Sequence, residues 1–193
     1  MTAHLRRTMK GLPRGGPFLL VAALLAGGAL ATPDGKRNVT LHARDGSTVV
    51  IGQVTFTPQP DGSAHFALTM DHARFGDHFL SMREFKCLPG GTEILCHVPY
   101  PYAQPGTVRD GDLAWLEHAL LFMFKKPSEF GAKLWNGVYW SLKPEGQGWV
   151  GTPQAVDLNL ISAPPDKPGP PFRKPLRDDM PADARWFVRL TID

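Results

Sequence analysis

Familiar catalytic motifs are absent from this sequence. It contains no GxSxG run, no phosphate-binding loop and no HExxH helix, so the common signatures of hydrolases and nucleotide-binding proteins are missing. No internal repeat is present either, which argues against a solenoid or propeller. An unfamiliar activity is not excluded by these absences, but the sequence by itself does not name a reaction.

Acidic residues are missing from the N-terminal segment, where basic residues precede an apolar run at 18–30. This run is shorter than the roughly 20 residues of a membrane-spanning helix, and small residues close it where signal peptidase cleaves. We therefore predict that 1–31 is a signal peptide and that the protein is periplasmic or secreted. An uncleaved membrane anchor is the alternative. Arg6 and Arg7 begin a degenerate twin-arginine motif, which leaves the export route undecided.

The predicted mature chain has a net charge close to zero. Removing 1–31 takes four of the 21 Lys and Arg residues and none of the 18 Asp and Glu, leaving 17 against 18. The isoelectric point near 9.0 therefore belongs to the leader, and it gives no argument for nucleic acid or an anionic membrane as partner. We predict that 32–193 forms a single β-rich domain, in contact with a membrane only if the leader stays uncleaved.

The sequence contains only two cysteines, Cys87 and Cys96. They flank a Pro-Gly-Gly turn inside 78–102, a stretch typical of a β-hairpin. An even pair in an exported chain predicts a structural disulfide rather than a reactive thiol. If the two face one another, the register follows and Arg83 lies opposite Tyr100. Closing so short a loop contributes about 2.7 kcal/mol on the chain-entropy model.

Alternating apolar and polar residues predict most of the remaining structure as strands. These predicted strands cover 39–44, 48–57, 63–70, 138–143, 149–152, 155–161 and 185–192. Between 163 and 175 the density of proline predicts an extended surface connection. The fold class is predicted as mainly antiparallel β, a curved sheet or small barrel and in one version lipocalin-like, with one packed α-helix, and hence α+β.

One helix is predicted after 106. Thr107 or Asp110 can cap its start, and Lys125 with Lys126 complements its negative end before Pro127 stops it. Apolar residues run nearly around the predicted cylinder, so the helix must be largely covered.

Four runs of sequence carry a resemblance to known proteins. They are Phe79-Leu80-Ser81-Met82-Arg83, Cys96-His97-Val98-Pro99-Tyr100-Pro101-Tyr102, Trp135-Asn136-Gly137-Val138-Tyr139 and Ser162-Ala163-Pro164-Pro165. Together they resemble an exported bacterial family to which no activity is assigned. The resemblance implies a single exported domain and implies no substrate, cofactor or catalytic residue.

One loop offers the nearest approach to a metal site. Asp71, His72, Asp77 and His78 could supply nitrogen and oxygen ligands to zinc or manganese, although their spacing matches no established pattern. The alternative is a polar loop with its charges in water, and no cofactor is expected. The lone histidines His42, His65 and His118 are predicted to lie on solvated faces, with Glu117 beside the last of them on the polar side of the helix.

Aromatic residues offer the more interesting candidate site. Rigid amphipathic rings with one arginine could line a groove for a small ligand or an envelope component, and the residues concerned are Arg83, Tyr100, Tyr102, Trp135 and Tyr139. We therefore expect an exported, soluble, non-enzymatic binding protein. The alternatives are a metal-assisted hydrolase that uses the 71–78 loop, and a purely structural envelope protein whose aromatic residues only hold core and corners.

Overall fold

The computed structural model describes residues 32–80, 84–162 and 169–193. Strands dominate this part of the chain. They are β1 (Gly35–Ala43), β2 (Thr48–Pro58), β3 (Ala64–Met70), β4 (Gly76–Phe79), β5 (Glu84–Gly90), β6 (Glu93–His97), β7 (Thr107–Val108), β8 (Phe122–Lys125), β9 (Gly137–Glu145), β10 (Gly148–Val156), β11 (Asp178–Asp179) and β12 (Phe187–Ile192), with α1 (Ala114–Ala119) as the α-helix.

All twelve strands belong to one antiparallel sheet, in the order β4-β5-β6-β8-β9-β10-β12-β1-β2-β3-β7, with β11 beside β10. The prediction of a mainly antiparallel β protein is therefore confirmed. Over the described ranges β4 and β7 pair with one neighbour each, so the sheet is open there. The lipocalin-like version of the fold stays a prediction.

Both faces of the sheet carry an apolar cluster. In β9, Val138 and Trp140 pack in the larger cluster, while Tyr139 between them packs in the smaller one on the opposite face. This alternation follows from the two-residue period of a strand. Leu158 and Phe172 belong to the smaller cluster and Ile161 packs against it, so irregular segments help to cover that face.

The predicted disulfide hairpin is confirmed. Cys87 and Cys96 are directly paired across β5 and β6, their sulfur atoms are bonded, and both side chains are fully buried. Gly91, with a φ of 61°, begins the two-residue turn, a conformation that glycine adopts without steric cost. The expected pairing of Arg83 with Tyr100 lies outside the described residues, because 81–83 are not described.

The predicted helix is wrong in length. Only Ala114–Ala119 is α-helical, and the chain then enters β8 between β6 and β9. Burial shows why: Leu121 and Met123 pack on one face of the sheet and Phe122 on the other. Pairing with two flanking strands buries these side chains and satisfies the backbone, which outweighs their helical propensity.

Two other segments differ from prediction. The strand expected over 155–161 ends at Val156, and a turn of 3-10 helix follows at Leu158–Leu160. The expected 71–78 loop contains a 3-10 turn at His72–Arg74 and then β4. In the described ranges no helix has the length and apolar character needed to cross a membrane.

Candidate functional site

A cleft of about 490 Å³ opens between α1, β9 and residues 170–177. Its volume lies within the range of about 300–1,000 Å³ that small-molecule sites occupy. Apolar side chains form much of its wall, among them Leu113, Leu142, Trp149 and Phe172. The cleft therefore combines apolar wall residues with charged ones.

Glu117 lines this cleft although it is only 7% exposed. One carboxyl oxygen accepts a hydrogen bond from the Tyr139 hydroxyl, and the other accepts one from the backbone N–H of Leu142 at 2.7 Å. Burial raises the pKa of Glu117 by more than these two hydrogen bonds lower it. Burial, and then the adjacent Glu117, raise the pKa of Tyr139 as well. A hydrogen-bonded acid pair thus joins α1 to β9.

Arg177 supplies the positive charge nearest to this pair. Its guanidinium carbon lies 4.6 Å from the centroid of the Tyr139 ring, and its Nε atom is buried without a hydrogen-bond partner. Arg173 and Lys174 also line the cleft. Among the described residues none of these three cations forms an ion pair.

The remaining charged side chains at the cleft lie in 109–112. Arg109 pairs with Asp61 at 2.5 Å, and Asp112 accepts a hydrogen bond from the backbone N–H of Ala114 at 3.1 Å. Asp110 lines the cleft as well, without an ion pair in the described part of the chain. Asp110 and Asp112 place negative charge in the cleft, while Arg173, Lys174 and Arg177 place positive charge on the 173–177 side.

His118 lies behind the cleft and is fully buried, so its predicted place on a solvated helix face is wrong. The same correction applies to Glu117. Their side of α1 is covered because it packs against β9 and against Phe172, whose backbone N–H donates to His118 Nε2 at 3.0 Å. His118 Nδ1 lies 2.6 Å from the Ala114 carbonyl oxygen and donates to it. Burial lowers the pKa of His118 to about 4, so the ring is neutral.

The predicted aromatic set is divided between separate places. Tyr139 lines the cleft and is 1% exposed, while Trp135 and Tyr102 are 59% and 37% exposed and line neither cavity described here. Arg83 lies outside the described residues. Tyr100 lines a second, more open cavity of about 430 Å³, together with the side chains of Phe66, Leu68, Met70, His72, His97, Pro99, Gln104 and Ala119.

One buried ring connects the two cavities. His118 has its centroid 6.2 Å from that of Tyr100 and 5.3 Å from that of Tyr139, both edge-on. In the second cavity, His97 Nε2 lies 2.9 Å from the carbonyl oxygen of Ala119, and burial lowers the pKa of His97 to about 4. The sequence analysis thus selected residues of both cavities but placed His118, the ring between them, on a solvated face.

The proposed metal ligands do not come together as one set. Asp71 pairs with Arg74 at 3.3 Å, and Asp77 forms an ion pair with Lys86. His72 packs edge-on against Phe75. Within 32–80, 84–162 and 169–193, no group of three or more His, Cys, Asp and Glu side chains could hold a metal ion. No ligand set in these ranges supports the hydrolase hypothesis.

Sequence reasoning missed Glu117 and Arg177 as site residues. Glu117 had a detectable signal, because it is the only acidic residue in the apolar stretch 113–124. A single carboxyl group in such a stretch is either exposed or held by a buried partner. Arg177 had no such signal, because it follows the proline-rich segment 163–175, which shows no helical or strand periodicity.

Searches against family models, curated proteins and solved structures find no match to this chain. The resemblance to an exported bacterial family accordingly stays an expectation. The geometry of the cleft carries the functional argument.

Proposed function

We propose that the protein is an exported, soluble, non-enzymatic binding protein whose cleft binds a small amphiphilic anion. Such a ligand has an apolar body and one carboxylate, sulfonate or phosphate group. The disulfide is consistent with a periplasmic or secreted location, because such bonds persist outside the reducing cytosol. The observation that carries the proposal is the half-buried guanidinium of Arg177, which has no ion pair among the described residues.

An amphiphilic anion matches both the apolar wall of the cleft and its basic residues. The apolar wall, which includes Leu142, Trp149 and Phe172, would take up the body of the ligand and release its ordered water. The anionic group would accept hydrogen bonds from Arg177, whose planar guanidinium suits carboxylate and phosphate geometry. Arg173 and Lys174 add positive charge on the same side.

Binding is favoured over catalysis by the state of the titratable groups. Both carboxyl oxygens of Glu117 already accept hydrogen bonds that join α1 to β9. A raised pKa makes Tyr139 a poor nucleophile, and both nitrogen atoms of His118 are occupied. These groups hold the walls of the cleft together, which favours a receptor for an anion over an acid–base catalyst.

A pair of matched fluorescent probes tests the proposal. Anilinonaphthalene sulfonate is an amphiphilic anion, and phenylnaphthylamine has nearly the same rings without the charge. The protein should bind the sulfonate more tightly than the neutral probe. Arg177→Met keeps an apolar side chain but removes the charge, so it should weaken sulfonate binding by about 10- to 100-fold, the range of a charge-assisted hydrogen bond. Binding of the neutral probe should change little.

Arg189→Met is the matched control. Arg189 forms an ion pair with Glu145 and does not line the cleft, so its replacement should leave sulfonate binding unchanged. Equal sulfonate affinity in the wild-type protein and the Arg177→Met variant would overturn the proposal. Native mass spectrometry of protein from the exporting host would then identify the natural ligand, if one co-purifies.

A further inference from the structure

A second surface is formed by residues 126–136, which we call the Phe130 loop. The Phe130 side chain is 97% exposed and Trp135 is 59% exposed, the two highest values among the large apolar side chains described. Large exposed aromatic side chains within one loop are characteristic of interaction sites. The cleft lining includes neither residue, so the loop is independent of the ligand site.

Hydrogen bonds from Lys125 and to Glu129 fix the conformation of this loop. Lys125 is only 2% exposed, and its Nζ donates to the carbonyl oxygens of Glu129 and Gly131, the latter at 2.9 Å. These two carbonyl groups flank Phe130. On the other side, the Glu129 carboxylate accepts a hydrogen bond from the backbone N–H of Lys126 at 2.9 Å. The tip that exposes Phe130 is therefore fixed by two sets of hydrogen bonds.

This arrangement is costly for the isolated protein. A buried lysine with only carbonyl acceptors gives up much of its hydration, and Lys125 forms no ion pair among the described residues. An exposed phenylalanine gains no stabilisation from burial. A loop that only joined β8 to β9 would need neither, so the arrangement indicates a partner that covers Phe130.

The charges of the loop indicate which partner. Lys126 is exposed, and Lys133 Nζ lies 5.1 Å from the centroid of the Trp135 ring. The single acidic residue, Glu129, accepts a hydrogen bond from the Lys126 backbone, and two lysines against one glutamate leave the loop with a net charge of +1. Tryptophan and lysine together are characteristic of the membrane–water interface, and lysine is attracted to anionic headgroups.

We propose that the Phe130 loop docks the protein onto a lipid surface that contains anionic headgroups. Phe130 inserts below the headgroups, Trp135 lies at their level, and Lys126 with Lys133 faces the negative charge. This local surface departs from the expectation, based on net charge, of no membrane contact apart from the leader. The exposed ring, the fixed tip and the two lysines all lie within one loop.

Vesicle co-sedimentation tests the proposal. Protein purified from the exporting host should sediment with vesicles of phosphatidylglycerol and phosphatidylcholine, and more weakly with phosphatidylcholine alone. Phe130→Ser should weaken binding about tenfold, since it removes the burial of one aromatic side chain. Lys133→Glu should weaken binding only to the anionic vesicles. Brominated lipid should quench tryptophan fluorescence, and Trp135→Phe should remove the quenching.

Tyr102→Ser is the matched control, because Tyr102 is also an exposed aromatic residue but lies outside the loop. It should bind vesicles like the wild-type protein. Whatever the N-terminal segment contributes is common to all variants and cancels in the comparison. Equal binding by wild-type protein and Phe130→Ser would overturn the proposal. A wild-type protein that binds neither kind of vesicle would also overturn the proposal and would assign the loop to a protein partner instead.

Discussion

His118 and Phe172 are joined across 54 residues of sequence by one hydrogen bond and one ring stack. The Phe172 backbone N–H donates to His118 Nε2 at 3.0 Å, and the two rings are 5.6 Å apart at 14°. Because Nε2 accepts, the imidazole proton must be on Nδ1, where it is donated to the Ala114 carbonyl. A single neutral tautomer thus connects α1 to the segment that carries Arg177.

We predict that His118 is the Nδ1–H tautomer at pH 7. Burial lowers its pKa from the usual 6.5 to about 4. Between these two pH values the unfolded chain binds a proton at His118 and the folded chain does not. The free energy of unfolding should therefore fall as the pH falls from about 6.5 to about 4, by up to about 3 kcal/mol for this fully buried ring. Long-range nitrogen NMR and denaturant titrations measure the two properties.

His97 shares the lowered pKa, so His118→Phe should remove only part of this pH dependence. The variant should also be less stable at pH 7, because the Phe172 N–H loses its acceptor. A proton on Nε2 at pH 7, or an unchanged slope of stability against pH in His118→Phe, would contradict this account.

Glu117 should give the free energy of unfolding a pH dependence opposite to that of His118, and Glu117→Gln should remove it. Burial raises the Glu117 pKa above its usual 4.5, so the folded protein binds this proton more tightly than the unfolded chain does. The contribution of Glu117 to stability is therefore greatest below about pH 4.5 and is lost as the pH rises. Compared with Glu117→Gln, the wild-type protein should lose relative stability between pH 4 and pH 7 in urea denaturation.

Anion binding supplies an independent check on Glu117. Ionisation of this carboxyl group places a negative charge in the cleft, so wild-type affinity for anilinonaphthalene sulfonate should fall as the pH rises through its pKa. Glu117→Gln should bind the sulfonate with little pH dependence over the same interval. An identical pH dependence in both proteins would show that another group controls binding.

The hairpin could be predicted from the sequence because two independent signals agree on it. The Pro-Gly-Gly stretch predicts a turn between the two cysteines, and the cysteine pair predicts the register in which Cys87 faces Cys96, which the structure has. The helix was overestimated because Leu121, Phe122 and Met123 fit a helical stripe as well as a two-sided strand. Periodicity cannot separate a buried helix from a strand covered on both faces.

The cleft was beyond sequence reasoning for a different reason. Glu117, Tyr139 and Arg177 come from a helix, a strand and an irregular segment that become neighbours only through the sheet order. Local patterns contain no information on that long-range packing. Tyr139 was selected as an aromatic residue, whereas its role depends on its hydroxyl group, which donates a hydrogen bond to Glu117.

Glu93→Met should be strongly destabilising. Glu93 is 8% exposed, accepts a hydrogen bond from the Trp186 backbone N–H at 2.8 Å and forms an ion pair with Arg185 at 3.1 Å. This contact joins the β5–β6 hairpin to the start of β12. Losing Glu93 leaves Arg185 partly buried without its counter-ion, which should cost about 3 kcal/mol in urea denaturation. Burial already lowers the pKa of Arg185, and Glu93 opposes that effect.

A double-mutant cycle separates the ion pair from the backbone hydrogen bond. Glu93→Met with Arg185→Met should be less destabilising than Glu93→Met alone, because no uncompensated charge remains. Additive costs for the two substitutions would mean that Arg185 is stabilised by its contact with the Phe124 ring, 3.4 Å from the guanidinium carbon to the ring centroid, and not by Glu93.

Replacing both cysteines with alanine should lower stability while leaving the sheet order unchanged. The disulfide closes a loop with a sequence separation of 9 residues, for which the chain-entropy model gives about 2.7 kcal/mol. The hairpin is also held by its ladder and by the pairing of β6 with β8, so the strands should survive the loss. Thermal melting and far-UV circular dichroism measure the two effects.

Both sulfur atoms are buried, so a thiol reductant should reach the bond only when the hairpin opens. Under native conditions the wild-type protein should stay oxidised in dithiothreitol for longer than it does in the same reductant with urea. An equal reduction rate in the two solutions would show that the bond is accessible in the folded state. An unchanged melting temperature in the double alanine variant would contradict the predicted contribution of the disulfide, because the loop constraint is what distinguishes the variant from the wild-type protein.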